Sequence, residues 1–201
     1  MIQIIDQTVA AAHRPLLRSM HADRKRLFVD LFGWDVPVVD EKYEIDQFDT
    51  PSAVYVIATD DSGDHAASLR LLPTDRAHML DTLFSHLCPC GVPKGISIWE
   101  STRLCLPQRH GAKRRRELRN ELISAMVDLA LERGIERYTG VLPAAFRTEV
   151  LSMGWRGEPL GPAVAMPGGS VGAFLVHIDP DTPERLRWSG TYTGPAEPVA
   201  A

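Results

Sequence analysis

The order of signals along this chain predicts an α/β or α+β fold, a mixed sheet with helices on both faces. Three observations carry the prediction. Apolar runs at 53–59 and 65–72 flank the turn-forming Asp60-Asp61-Ser62-Gly63-Asp64 and read as a β-hairpin. A long helical pattern over 112–133 lies between strand-like segments at 96–106 and 135–142, which predicts a right-handed crossover between them. Helix and strand signals then alternate up to Ile178.

Taken in order, Ile2-Gln3-Ile4-Ile5 reads as a short first strand. Helical periodicity runs from about 9 to 32, with Pro15 early and Leu27, Phe28, Leu31 and Phe32 on one face, until Gly33 ends it. The polar segment 35–50, carrying Pro37, reads as an ordered loop. After the hairpin come a short helix around 78–86, a Pro- and Gly-rich loop, and the strand at 96–106. In the helix 112–133, Leu118, Leu122, Met126 and Leu129 share a face and Gly134 supplies the stop. Pro143 opens a further helix to about Met153, and two or three short strands follow. Beyond Asp179 the composition turns to Pro, Gly, Thr and Ala. The expected organisation is one domain over 1–178 and a loosely ordered tail over 179–201.

Composition narrows the class. A chain of 201 residues, 44% hydrophobic and 24% charged, suits a single soluble domain. The net charge of −4 argues against a dedicated nucleic-acid binder. No apolar run approaches the roughly 20 residues of a membrane span. The first residues lack the basic segment of a secretory leader, and three cysteines do not make a disulfide scaffold. The expectation is a cytoplasmic protein with no membrane or nucleic-acid partner. Cys88-Pro89-Cys90 without a second pair is poor zinc spacing, so no metal is expected. His78 and His110 have no partner at catalytic spacing and read as surface or loop residues.

The charged residues point to a site. Tyr43-Glu44-Ile45-Asp46-Gln47-Phe48-Asp49 sets Asp46 and Asp49 three apart in a non-helical segment. Arg24 shares a helix face with Phe28, Arg70 interrupts an apolar strand, and Arg103 follows Glu100 in another. Charges in core-like strands are costly unless paired. Three arginines and the carboxylates Asp46, Asp49 and Glu100 therefore either share one cleft or stand apart as solvent-facing edge charges. Glu100 and Arg103 fall on opposite faces of a regular strand, so a common site requires a β-bulge between them.

Arg24, Phe28, Trp34, the EIDQFD run, Arg70, Phe84 and the WESTR run with Glu100 and Arg103 resemble the signature of LuxI-type acyl-homoserine-lactone synthases. The resemblance spans about 2–178. It implies a fold like that of GCN5-related N-acyltransferases and two substrates, S-adenosylmethionine and an acyl thioester. It implies N-acylation of the methionyl amine, then lactonisation with loss of 5′-methylthioadenosine, and no separate cofactor.

On that resemblance Glu100, Arg103, Asp46, Asp49 and Arg70 carry the chemistry, with Glu100 as base. Its ordinary pKa near 4.3 makes it weak unless burial raises it. Arg24, Phe28, Trp34, Phe84 and Thr102 would bind S-adenosylmethionine, the aromatics against adenine or sulfonium. Met126, Gly140, Leu142, Phe146, Trp155 and Phe174 would line the acyl chain, and each equally reads as core. Gly140 stands where the family's 3-oxo enzymes carry threonine, which favours an unsubstituted chain, although Thr139 is one residue away. Lys113, Arg114, Arg115, Arg116 and Arg119 ring the start of a helix whose macrodipole disfavours them. They read either as a docking surface for acyl carrier protein or as a solvated turn. Enzymes that use coenzyme A carry Gln/Arg-x-x-Gly-x-Gly/Ala here, and Lys113 breaks that pattern, so acyl-CoA is the less favoured donor. The rival readings are an acetyl-CoA-dependent amine acetyltransferase and a nucleic-acid binding module.

Overall fold

The computed structural model describes residues 1–194. In chain order the elements are β1 (Ile2–Ile5), α1 (Arg14–Arg24), β2 (Val38–Val39), β3 (Tyr43–Glu44), β4 (Val54–Thr59), β5 (His65–Pro73), α2 (Met79–Thr82) and β6 (Ile98–Cys105). There follow α3 (Ala112–Arg133), β7 (Arg137–Pro143), α4 (Ala144–Leu151), β8 (Arg156–Pro159), β9 (Val164–Met166), β10 (Gly169–His177) and α5 (Thr182–Trp188). Eight strands form one sheet in the order β1-β4-β5-β6-β7-β10-β8, with β9 also on β10, and β2 pairs β3 separately. Neighbours in the large sheet are antiparallel except β6 and β7, which are parallel and joined through α3.

Period-two alternation explains the layers. From β4, Val54, Val56 and Ala58 face the same core as Leu118, Leu122, Met126 and Leu129 of α3. Tyr55 and Ile57 face Ile5, Met20 and Phe48 on the α1 side. All six residues of β4 are buried, as in a strand covered on both faces. Each large side chain so buried contributes roughly 1.5–3 kcal/mol.

Three local differences from the sequence expectation matter. The first helix begins at Arg14, with Pro15 in its first turn, because the Val9 and Ala10 amides turn back to the Asp6 carbonyl. Past Arg24 it widens into a π-helical turn over Lys25–Leu31, a form frequent at functional sites. The helix expected around 78–86 splits into α2 and a 3₁₀ turn at Ser85–Leu87. His78, expected at the surface or in a loop, lies in the loop just before α2 and is fully buried, with Nδ1 on the Arg76 carbonyl.

The required bulge is present. Arg70 pairs with Thr102 and Ser68 with Cys105, so β6 holds one more residue than β5 over this stretch. Arg103 takes φ +51°, a left-handed conformation rare outside glycine. The extra residue re-aims Arg103 onto the face of Glu100 and Thr102. On the other edge of β6, pairing with β7 stops after Glu100↔Thr139, and both strands run on unpaired there.

The loose tail expected from 179 is corrected over its described part. Thr182–Trp188 is helical, Leu186 is fully buried in the main core, and Thr191 is buried. Gly154, at φ +98°, lets this helix approach, since a Cβ there would stand 2.7 Å from the Arg185 carbonyl oxygen. Residues 195–201 of the expected tail lie outside the described residues. The apolar contact made by Leu186 was hidden among Pro, Glu and Arg. Leu186→Ala is expected to lower the unfolding free energy by about 2–5 kcal/mol in urea denaturation; a loss below about 0.5 kcal/mol would place the helix outside the cooperative core.

Candidate active site

Four elements converge on one buried cluster. Arg24 ends α1, Glu44 ends β3, Asp46 and Asp49 sit in the following loop, Arg70 lies in β5 and Arg103 in the bulge of β6. Arg24 donates from Nη1 and Nη2 to the two oxygens of Asp49 at 2.8 and 2.9 Å, and from Nε to Glu44. Arg70 grips Asp46 in the same forked way at 2.6 and 3.1 Å, and its Nη1 also lies 2.8 Å from Asp49 Oδ1. Arg103 bridges Asp46 at 2.7 Å and Glu44 at 3.1 Å. All six side chains are nearly or fully buried, and three guanidinium groups balance three carboxylates. Planar forks suit such pairing, and no charge is left over.

Local sequence sets this geometry. Asp46 Oδ1 accepts the Phe48 amide and Asp49 Oδ2 accepts the Asp46 amide, so the loop folds on its own carboxylates. Tyr55 donates its hydroxyl to Asp49 at 2.9 Å. Burial alone would raise the Asp49 pKa, but the Arg24 and Arg70 guanidiniums hold its carboxyl well below the usual range. Thr102 Oγ1 accepts from Arg70 Nε at 3.1 Å.

The third carboxylate corrects the sequence expectation. The cluster holds Glu44, which sequence reasoning passed over, and Glu100 stands apart from it with no ion pair among the described residues. The signal for Glu44 was available: in extended chain, residues 44 and 46 project to the same side. Glu100 is fully buried and accepts the backbone N–H groups of Met79 at 2.8 Å and Leu80 at 2.9 Å, at the start of α2. Burial raises its pKa to about 7 from an ordinary 4.5, against the pull of those amides and of Arg70 and Arg103. The Met79 sulfur in turn meets Arg70 Nη2 at 3.4 Å and Arg103 Nη1 at 3.5 Å. Met79 therefore joins Glu100 to the cluster.

The aromatic candidates divide. Phe28 and Trp34 stack with centroids 4.8 Å apart and planes within 5°, and Arg103 lies 5.7 Å over the Phe28 ring. Phe28 is buried and Trp34 is 44% exposed, so the pair offers one face to solvent. Phe84 packs elsewhere, with Leu80, Leu87, Val141 and Val171. Met126, Leu142, Phe146, Trp155 and Phe174 all belong to or border the main core. A Cβ at Gly140 would stand 2.8 Å from both the Phe174 ring and the Ser101 carbonyl oxygen. Thr139 is buried with its hydroxyl unpaired.

The basic turn of α3 is split as well. Arg114 pairs with Glu121 at 2.7 Å and with Glu117, and Arg119 pairs with Glu149. Lys113, Arg115 and Arg116 have no ion pair among the described residues. Within the same residues no three His, Cys, Asp or Glu side chains gather as a metal site, and no helix is long and apolar enough to cross a membrane.

Known proteins place this arrangement. The profile of the family described as autoinducer synthase matches residues 9–187. This chain belongs to that family. The acyl-homoserine-lactone synthase of Rhizobium etli is 37% identical over 164 residues, 80% of this chain and 76% of its own. That of Ralstonia nicotianae is 33% identical over 179 residues, 86% and 87% of the two chains. BjaI, a CoA-dependent acyl-homoserine lactone synthase solved with SAM and isopentyl-CoA, superposes with TM-score 0.84 at 23% identity, covering 98% of this chain and 94% of its own. At that identity the likeness is one of fold. The synthase is thus an acyltransferase, and a putative N-acetyltransferase from Lactobacillus plantarum shares its fold of a mixed sheet flanked by helices, with TM-score 0.58 at 16% identity.

Two outcomes follow for the synthase. Glu44→Gln leaves Arg24 and Arg103 undercompensated in a buried site, and should lower the unfolding free energy by about 3–5 kcal/mol in urea; a change under about 1 kcal/mol would show that the cluster rebalances without Glu44. A carboxyl whose folded pKa is raised favours folding most when protonated. The Glu100 contribution is therefore full below about 4.5 and lost as pH rises through about 7. Wild type should lose stability relative to Glu100→Gln across that window, and parallel stability curves would contradict the raised pKa.

Proposed function

We propose that this synthase transfers an acyl chain from acyl carrier protein to the amine of S-adenosylmethionine, closes the homoserine lactone and releases 5′-methylthioadenosine. The observation that carries this reading is Glu100, a buried carboxylate with a pKa of about 7 beside a charge-balanced arginine cluster. S-adenosylmethionine is a substrate here, no cofactor takes part, and the reaction belongs to the cytoplasm. The product is a quorum-sensing signal.

Arg103 is the guanidinium with capacity to spare, because its Nη1 meets only the Met79 sulfur. Thioether sulfur is a weak acceptor, so a substrate carboxylate that displaces it gains a charge-assisted hydrogen bond. Arg24 and Arg70 stay committed to Asp49 and Asp46 and hold the site in shape. The open side of the Phe28–Trp34 stack suits adenine or the sulfonium. The substrate ammonium gives a proton to Glu100, directly or through a water, and the freed amine attacks the thioester carbonyl carbon. The C–N bond forms as the C–S bond breaks, and the thiol leaves. Backbone amides on the unpaired edge of β6 beyond Glu100 are placed to receive the oxyanion. In the second step a carboxylate oxygen attacks the carbon attached to the sulfonium, and neutral methylthioadenosine departs. Holding the acylated intermediate folded supplies proximity.

Lys113, Arg115 and Arg116, which have no ion pair among the described residues, support an acidic carrier protein as donor, and the space over Gly140 occupied by Phe174 favours a chain without a C3 oxygen. Incubation with S-adenosylmethionine and a panel of acyl carrier-protein and acyl-CoA thioesters, read by mass spectrometry, tests the whole reading. Equal amounts of acyl-homoserine lactone and methylthioadenosine are expected, with the carrier-protein thioester preferred. Thioester consumption without methylthioadenosine would overturn it in favour of a general amine acyltransferase. The kcat/KM profile should rise through pH about 7 and Glu100→Gln should abolish turnover; an active Gln variant removes Glu100 as base. Reversing Lys113, Arg115 and Arg116 to Glu should raise KM for the carrier-protein substrate about tenfold or more while sparing acyl-CoA. An unchanged KM means docking occurs elsewhere.

A further inference from the structure

A second buried ionic network lies beside the first and takes no part in the chemistry above. Its centre is Asp23, on the last turn of α1 and only 2% exposed. Asp23 accepts both ends of the Arg109 guanidinium, at 2.8 Å on Oδ1 and 2.7 Å on Oδ2. It also accepts Arg26 Nη1 at 2.9 Å, and its Oδ2 lies 2.7 Å from His65 Nδ1. His65 is fully buried and reaches Ser68 Oγ through Nε2 at 2.9 Å, while Arg109 donates to the His65 carbonyl as well.

The charges identify the essential pair. Burial would raise Asp23, yet His65 and Arg109 hold its carboxyl well below the usual range. Burial lowers the pKa of His65, which favours the neutral ring, so the countercharge must come from arginine. The Arg26 side chain is 71% exposed and its pairing is screened by water. Arg109, itself 44% exposed, is the better partner because its guanidinium forks onto both Asp23 oxygens and also reaches the His65 carbonyl.

Position gives this pair its consequence. Arg109 lies two residues before Gly111, the N-cap of the 22-residue helix α3, whose first turn carries no acidic residue and no side-chain cap. Asp23 is the chain neighbour of Arg24, which anchors the carboxylate cluster. One helix end therefore holds the amine side of the site through Arg24 and the start of α3 through Asp23. We propose that Arg109 is a positioning residue for the thioester: through Asp23 it fixes the N-terminal turn of α3, with its unpaired basic residues and free amides, against the end of α1. The inference rests on the reading of this protein as an acyl-homoserine-lactone synthase.

The test compares wild type with Arg109→Gln, Arg109→Lys, Asp23→Asn and the Asp23→Asn/Arg109→Gln double variant, each checked for folding by circular dichroism. Steady-state kinetics with the preferred acyl thioester is read beside calorimetric binding of S-adenosylmethionine alone. Arg109→Gln should raise KM for the thioester about tenfold with kcat changed less than about threefold. S-adenosylmethionine affinity should hold, and Arg109→Lys, which keeps one ion pair and folds most easily, should recover part of the loss. Action through Asp23 requires the double variant to match the single ones. An unchanged thioester KM in folded variants overturns the proposal, as does an equal loss of S-adenosylmethionine affinity, which would reduce the pair to an anchor for α1. Additive effects in the double variant also overturn it, because Arg109 would then act without Asp23. If wild type itself makes no lactone from any thioester, the functional reading fails first and the inference falls with it.

Discussion

Everything else in this molecule is arranged around a dry knot of three guanidinium groups and three carboxylates. Arg24, Arg70 and Arg103 meet Glu44, Asp46 and Asp49 with almost no exposure to water. Such a group is stable only when every charge is matched by a hydrogen-bonded partner. That requirement brings α1, the loop after β3, strand β5 and strand β6 to one place. It also explains the strained backbone at Arg103, whose left-handed φ brings its guanidinium onto the same face as the rest.

Balance inside the knot leaves Glu100 free of strong partners. It sits in the same low-dielectric surroundings, held by two amides and by no ion pair. Within the knot the Asp49 carboxyl is held well below the usual range by arginine, whereas Glu100 titrates near neutrality. Neighbouring acidic groups thus differ in protonation behaviour because their environments differ. Met79 touches both halves, its amide on Glu100 and its sulfur against Arg70 and Arg103. A ligand that displaces the sulfur would be felt at Glu100.

The sheet supplies the complementary half of the site. Parallel pairing of β6 and β7 ends at Glu100 and Thr139, so unpaired strand edge begins beside Glu100. Unpaired edge is a hydrogen-bonding surface for an extended ligand. The N-terminal turn of α3, which follows β6 after a short loop, adds amides and cations suited to an anion. The Asp23–Arg109 pair ties that loop back to the helix that carries Arg24.

Sequence alone determined a sheet covered on both faces, the hairpin and the extent of α3, and the family resemblance grouped Arg24, Asp46, Asp49, Arg70 and Arg103, which spacing alone leaves either together or apart. Periodicity and turn chemistry are local, and the resemblance rested on residue types at set separations. It also required the bulge, because two residues three apart cannot share a face of a regular strand. Tertiary structure alone decided that Glu44 completes the knot while Glu100 stays outside it, since partner choice depends on approach between segments distant in the chain. It decided likewise that His65, Asp23 and Arg109 meet from three elements, and that Leu186 docks a helix where composition suggested a loose tail. Burial is a property of the assembled chain, and burial is what moves the pKa of Glu100 from that of an ordinary carboxylate to about 7.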